Sequence, residues 1–267
     1  MKRVLVVGDL HCGSVVGLTP KAYRFRNKGI GRTKRDKYHK IQDQTDEEYL
    51  RLLDSIGPVD VALYLGDGID GTGFRSGGTE LITSDREEQS DMCVMCLDEI
   101  RKRAKKNYKI VGVYGTGYHT GDSEDWENVI ADRAGFEKIG SHEWAEVEGV
   151  VFDIKHHIGS SSIPHGRHTA ISKDAYWNRL WAEQESQPKA DVILRGHVHY
   201  FSYCGNSEFL AMTIPALQAM GTKYGSRRCS GLVDWGLITF DVEDGKILDW
   251  KAHISRLSSQ KAKTIKL

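Results

Sequence analysis

The chain has 267 residues, 39% of them hydrophobic and 28% charged, enough to bury a sizeable core in one large domain. Lys plus Arg and Asp plus Glu balance at 37 each, which excludes a global field drawing the protein to nucleic acid or a membrane surface. No apolar run approaches the ~18 residues that span a bilayer, and the apolar stretch after Met1-Lys2-Arg3 is too short for a signal peptide. The five scattered cysteines make no disulfide framework, so reduced thiols and a cytoplasmic location are expected.

Residues 2–7 are a β-branched run that stops at Gly8-Asp9, as a buried strand does when it feeds a loop. A short helix is expected over 46–56. Residues 59–65 then repeat the first design and end at Gly66-Asp67. Ser84-Asp85-Arg86-Glu87 reads as a capping box, followed by Met92, Cys93, Cys96, Leu97 and Ile100 at helical spacing. The basic run 101–106 suits the C-terminal end of that helix. Cys93 and Cys96 lie on its apolar stripe with no second CxxC, which places them in the core rather than on zinc.

A third strand, 110–114, ends at Gly115-Thr116-Gly117, and a helix is expected over 123–134. Residues 143–147 and 150–155 flank Glu148-Gly149 as a hairpin. A longer helix over 169–185 precedes Pro188, and the strand 192–194 runs into Arg195-Gly196-His197. Short strands at 200–204, 209–213, 237–242 and 247–253 complete the chain, which shows no internal repeat. Alternating β and α units followed by meandering strands predict a mixed α/β sandwich of two sheets with helices outside. A single domain over 1–267 is expected, with a basic insertion within 12–58.

Chemistry-bearing residues collect where these strands end. Asp9-x-His11 follows the first strand, Asp67 the second, His156-His157 the strand 150–155, and His197-x-His199 the strand 192–194. Each motif alone is common in ordinary turns. Together they bring carboxylates and imidazoles to one sheet edge, where open α/β sheets bind ligands. That donor mixture suits Mn, Fe, Zn, Ni or Co, while Mg prefers more oxygen donors. A shared carboxylate could join two metals in an arrangement used for in-line displacement at phosphorus.

Gly8-Asp9-Leu10-His11, Gly66-Asp67-Gly68-Ile69-Asp70-Gly71, the histidines at 156–157 and Gly196-His197-Val198-His199 resemble the calcineurin-like metallophosphoesterase family, in order and from residue 4 to about 200. The resemblance implies a four-layer αββα sandwich of two mixed β-sheets and a site for two divalent ions, most simply Mn. It implies Asp9, His11 and His199 on the first metal, Asp67 bridging, and His197 and His156 on the second, with His157 the alternative to His156. His119 takes the catalytic role, stabilising the developing charge or protonating the leaving oxygen while a metal-bridging hydroxide attacks. The family pattern has Gly-Asn-His after the third strand, and this chain has Gly115-Thr116-Gly117-Tyr118-His119. Thr116 or water replaces the missing Asn, or the second metal binds more weakly. Asp70 is a supporting candidate.

Residues 21–40 carry nine basic side chains against one acid, with Tyr23, Phe25 and Tyr38 interleaved, a pattern that suits stacked bases and paired phosphates. The competing reading is a solvated insertion. Arg24, Arg26, His165, Arg167 and His168 are the substrate-binding candidates, and Lys223, Arg227 and Arg228 extend the same surface. A phosphodiester substrate is therefore expected, DNA or a nucleotide, with nuclease or phosphodiesterase activity. The alternative is a phosphomonoesterase, including a protein phosphatase, and less so a non-catalytic scaffold. The long loop after Asp9-x-His11 and the Gly-Thr-x-x-His variant are more loosely similar to metallophosphoesterases of bacteriophages.

Overall fold

The computed structural model describes residues 1–24, 32–122, 124–228, 232–261 and 264–266. In chain order the strands are β1 (Lys2–Val7), β2 (Val61–Tyr64), β3 (Lys109–Val113), β4 (Gly121–Asp122), β5 (Glu124–Asp125), β6 (Lys138–Gly140), β7 (Glu143–Val147), β8 (Val150–Lys155), β9 (Val192–Arg195), β10 (Ser202–Gly205), β11 (Leu210–Thr213), β12 (Trp235–Glu243) and β13 (Lys246–Ser255). The helices are α1 (Arg32–Ile56), α2 (Arg86–Lys102), α3 (Gly117–Thr120), α4 (Trp126–Ala134), α5 (Arg167–Glu183) and α6 (Lys223–Arg228).

Two mixed sheets form the centre. The first has the order β13-β12-β1-β2-β3-β6, with β1, β2, β3 and β6 parallel and β12 and β13 antiparallel. The second has the order β10-β11-β9-β8-β7, in which β8, β9 and β11 are parallel. Alternation along β1 explains why its sequence is continuously apolar. Val4 and Val6 enter the layer between the sheets with Leu63, Phe152, Ile154, Leu194 and Phe240. Leu5 and Val7 face the opposite way, with residues of α1, α2 and α4. On the far side, Ile171 and Ala175 of α5 cover Ile193 and Ala211. This is the four-layer αββα sandwich implied by the resemblance.

Local chemistry sets the helix boundaries. Asp85, not Ser84, caps α2 by accepting from the Glu87 amide at 2.9 Å, and Asp125 caps α4 the same way at 3.1 Å. The main correction concerns the basic segment. α1 begins at Arg32 rather than 46, because Tyr38, Ile41, Tyr49, Leu52, Leu53 and Ile56 form one buried face that the surrounding charges mask in the sequence. Tyr38 is therefore a core residue and no stacking platform. Arg24 is likewise buried, held between the carboxylates of Asp43 and Asp46, and so is not displayed to a substrate. Arg26 and Phe25 lie outside the described residues. The short edge strand β6 was not anticipated; three residues are too few for a periodic signal.

Candidate metal centre

The carboxyl-end loops of β1, β2, β8 and β9 meet above the inter-sheet layer. The first two are fastened by backbone bonds from Asp9 N to Gly66 O, His11 N to Asp67 O and Cys12 N to Gly68 O, at 2.8–2.9 Å. Gly196 N donates to His156 O at 3.0 Å, and the His197 amide lies 3.2 Å from both Asp9 carboxylate oxygens. Asp9, His11, Asp67, His197 and His199 all adopt left-handed backbone conformations with φ between 46° and 72°. Such conformations cost roughly 1–3 kcal/mol each and persist where the surroundings over-determine them. The other left-handed non-glycine residues described, Glu148, Glu185 and Asp244, sit in ordinary turns. Gly115 is required for close approach, since a Cβ there would lie 2.2 Å from Asp67 Oδ1.

Among the described residues, three groups of side chains could each hold a metal ion: Asp9, His11 and His199; Asp67, His156 and His197; and His11, Asp70 and His119. The first two are the division implied for the two metals, and His156 rather than His157 joins the second. His157 is exposed, and its ring packs 4.7 Å from that of His197.

The directions of the lone pairs decide what the groups want. His156 Nδ1 donates to Leu65 O at 2.6 Å, so in the neutral ring Nε2 is an acceptor, and it faces Asp67 Oδ2 at 3.1 Å. His11 Nδ1 donates to Asp70 Oδ1 at 3.0 Å, which turns its Nε2 towards His199 Nε2 at 3.2 Å. His199 Nε2 also lies 3.2 Å from Asp9 Oδ1, and Asp67 Oδ2 is 3.8 Å from His11 Nε2. Acceptors crowded at these distances are relieved by protons on the imidazoles or by a cation between them. The pKa shifts express the same demand. Burial works to lower His156, but the Asp67 and Asp9 carboxylates push it up to about 10. Burial works to raise Asp67, and His156 and His11 hold it far below the carboxylate range. His197 is lowered to about 4 by burial and by His156. A borderline divalent ion fits a set of imidazoles and carboxylates.

His119 stands beside these groups on α3. Its Nδ1 donates to Asp70 O at 3.0 Å, its ring meets that of His11 edge-on at 4.6 Å, and burial, with His11, lowers its pKa. Asp70 thus fixes His11 with its carboxylate and His119 with its carbonyl. Thr116, which stands where the family pattern has Asn, sits among Asp67, His156 and His197.

A cleft of about 430 Å³ opens from His11, Asp67, His119, His197 and His199, and its further walls include Tyr118, Tyr200, Met220, Leu232 and Val233. Arg167 is the one Lys or Arg among its described lining residues, with its guanidinium 4.3 Å from the Tyr200 ring centroid. His165 and His168 are exposed and do not line the cleft; His168 pairs with the Ser202 hydroxyl at 2.7 Å. None of the described residues of 21–40 lines it either. Lys223 reaches towards Thr79, and the side chains of Arg227 and Arg228 lie outside the described residues.

Three supports of the site were not read from the sequence. Buried Gln89 accepts from the Asp70 and Gly71 amides and donates to Gly71 O and Thr83 O. Buried Glu127 accepts from Tyr64 Oη at 2.6 Å and from the Gly68 amide at 3.1 Å, and burial pushes it up to about 7. Buried Arg195 ties β9 to Asp153 and Asp174. The available signal was a polar residue at an apolar position, since Gln89 shares the stripe of Met92, Cys93 and Cys96, and Arg195 extends an apolar strand.

No protein-family profile matches this sequence, and no curated protein matches it. Solved structures resemble it at low identity. Vps29 from Entamoeba histolytica, complexed with zinc, is 12% identical over 95% of this chain and 98% of that one, with a TM-score of 0.44. An archaeal phosphodiesterase is 12% identical over 95% and 99%, with a TM-score of 0.44. Yfce, a phosphoesterase from E. coli, is 15% identical over 94% and 98%, with a TM-score of 0.43. At these TM-scores none of the likenesses bears on the chemistry of the site. Among the described residues no helix is long and apolar enough to cross a membrane.

Proposed function

We propose that the protein is a divalent-metal-dependent phosphoester hydrolase of the metallophosphoesterase type, acting on phosphodiesters. The observation that carries this reading is the convergence of two adjacent groups, Asp9-His11-His199 and Asp67-His156-His197, whose acceptor atoms face one another. Bound divalent ions would polarise phosphoryl oxygens and make water a nucleophile near neutral pH. Asp70 and Leu65 O orient the His11 and His156 rings, and His119 lines the cleft beside His11, where it would stabilise the developing charge or protonate the leaving oxygen.

The preference for a diester rests on charge. A diester carries one negative charge and a monoester about two at neutral pH, while the described residues that line the cleft include one Arg, Arg167, together with Asp70 and Glu80. Tyr118, Tyr200, Leu232 and Val233 can receive an organic substituent on the second ester oxygen, such as a nucleoside. The test compares kcat/KM for bis-p-nitrophenyl phosphate and p-nitrophenyl phosphate with Mn present, then extends to single- and double-stranded DNA. Faster turnover of the monoester overturns the diester preference. No turnover of any of these with any divalent metal overturns the hydrolase reading.

A further inference from the structure

Thr116 is the N-cap residue of α3, a position where a threonine hydroxyl ordinarily accepts from a helix amide, yet its side chain makes no capping bond. Its Oγ1 instead lies 3.2 Å from His156 Nε2, 3.2 Å from His197 Nδ1 and 3.3 Å from Asp67 Oδ2. One atom therefore approaches a donor atom of every member of the second group. A hydroxyl has one proton and can satisfy only one of them. The Asp67 carboxylate presents lone pairs to it, and so does His156 Nε2 in the neutral ring, whose Nδ1 hydrogen is given to Leu65 O. The backbone holds Thr116 in place, because its amide donates to Asp67 Oδ1 at 2.6 Å and Gly115 lets the chain pass against that carboxylate.

We infer that the Thr116 hydroxyl oxygen is the fourth protein donor of the Asp67-His156-His197 metal site, replacing the amide oxygen of the family's asparagine. The inference rests on the two-metal reading above and concerns how that site is completed. Hydroxyl oxygens do bind divalent ions, as the Ser or Thr of nucleotide-binding loops does for Mg. A neutral hydroxyl is a modest donor, so the second ion binds more weakly than the ion held by Asp9, His11 and His199, and the sites fill in order.

The experiment is a Mn titration of metal-stripped wild type, Thr116→Val, Thr116→Ser and Thr116→Asn, followed by calorimetry and by metal content after equilibrium dialysis. Wild type and Thr116→Ser take up two equivalents in two steps. Thr116→Val keeps the first step and loses roughly 10–100-fold affinity in the second. Thr116→Asn binds the second ion at least as tightly as wild type. Two unchanged steps in Thr116→Val overturn the inference and leave the two-metal reading standing. A wild type that takes up no Mn, Zn or Mg overturns that reading itself. Should Thr116→Val not fold, a folded Thr116→Asn that loses the second step overturns the inference.

Discussion

Arg195→Met removes a cation from one of the most enclosed polar positions in the molecule. Arg195 is 2% exposed and Asp153 1%. One guanidinium nitrogen, Nη1, lies 2.6 Å from Asp153 Oδ1, 3.1 Å from Asp153 O and 2.9 Å from Leu194 O, while Nε donates to Asp174 Oδ2 at 2.9 Å. Asp174 keeps Lys155 at 3.3 Å, and Asp153 keeps only His142, at 2.8 Å, as a basic partner. Breaking one side of a buried pair costs about 3–5 kcal/mol, because the other charge is left uncompensated. At about 2–4 °C per kcal/mol, the melting temperature should fall by roughly 6–20 °C at neutral pH.

The pH dependence makes the test sharper. Burial works to raise the Asp153 carboxyl, and His142 and Arg195 outweigh it, holding the group below its ordinary value. A carboxyl depressed in this way adds stability above its unfolded pKa, and that stability is lost as pH falls through the folded pKa. In Arg195→Met burial gains the upper hand and the folded pKa rises. The deficit against wild type should then be largest near pH 7 and shrink as pH falls through about 4. Thermal melts of both proteins from pH 4 to 8 measure it, and Asp153→Asn combined with Arg195→Met should recover part of the loss. A deficit under about 1 kcal/mol, or one flat across that range, refutes the reasoning.

His119→Ala should lower kcat on an active diester by about 10²–10⁴-fold with metal content unchanged; loss of metal together with activity would make His119 a ligand instead. Gln89→Leu strands the Gly71 amide, while the Asp70 amide keeps Cys12 O at 3.0 Å, and should destabilise the protein by about 1–3 kcal/mol in denaturant unfolding, so a neutral result would remove Gln89 from the supports of the site. Stripping divalent ions with a chelator should lower the melting temperature reversibly, since a ligand at 100 times its Kd adds about 2.7 kcal/mol, and a melt indifferent to chelator and to added Mn counts against metal binding.

Much of the molecule was legible because the decisive signals are local. The runs at 2–7, 150–155 and 192–194 read as buried strands and are strands, and Gly plus Asp or His at their ends marked the site. The same locality misled in the basic segment. Charge count there outweighed the helical spacing of Tyr38, Ile41 and Tyr49, and Arg24 read as a free cation until its partners, Asp43 and Asp46, were in view.

By itself the sequence determined the two-sheet architecture and which carboxylates and imidazoles gather at the strand ends, because period-two alternation and glycine-punctuated turns are properties of neighbours along the chain. Only the tertiary structure shows that His156, whose ring bonds to Leu65 O, is the one grouped with Asp67 and His197, while His157 is exposed. It alone seated the Thr116 hydroxyl between residues 40 and 81 positions further along the chain. Those outcomes depend on contacts between four strand ends brought together by folding, and no window of the sequence contains them.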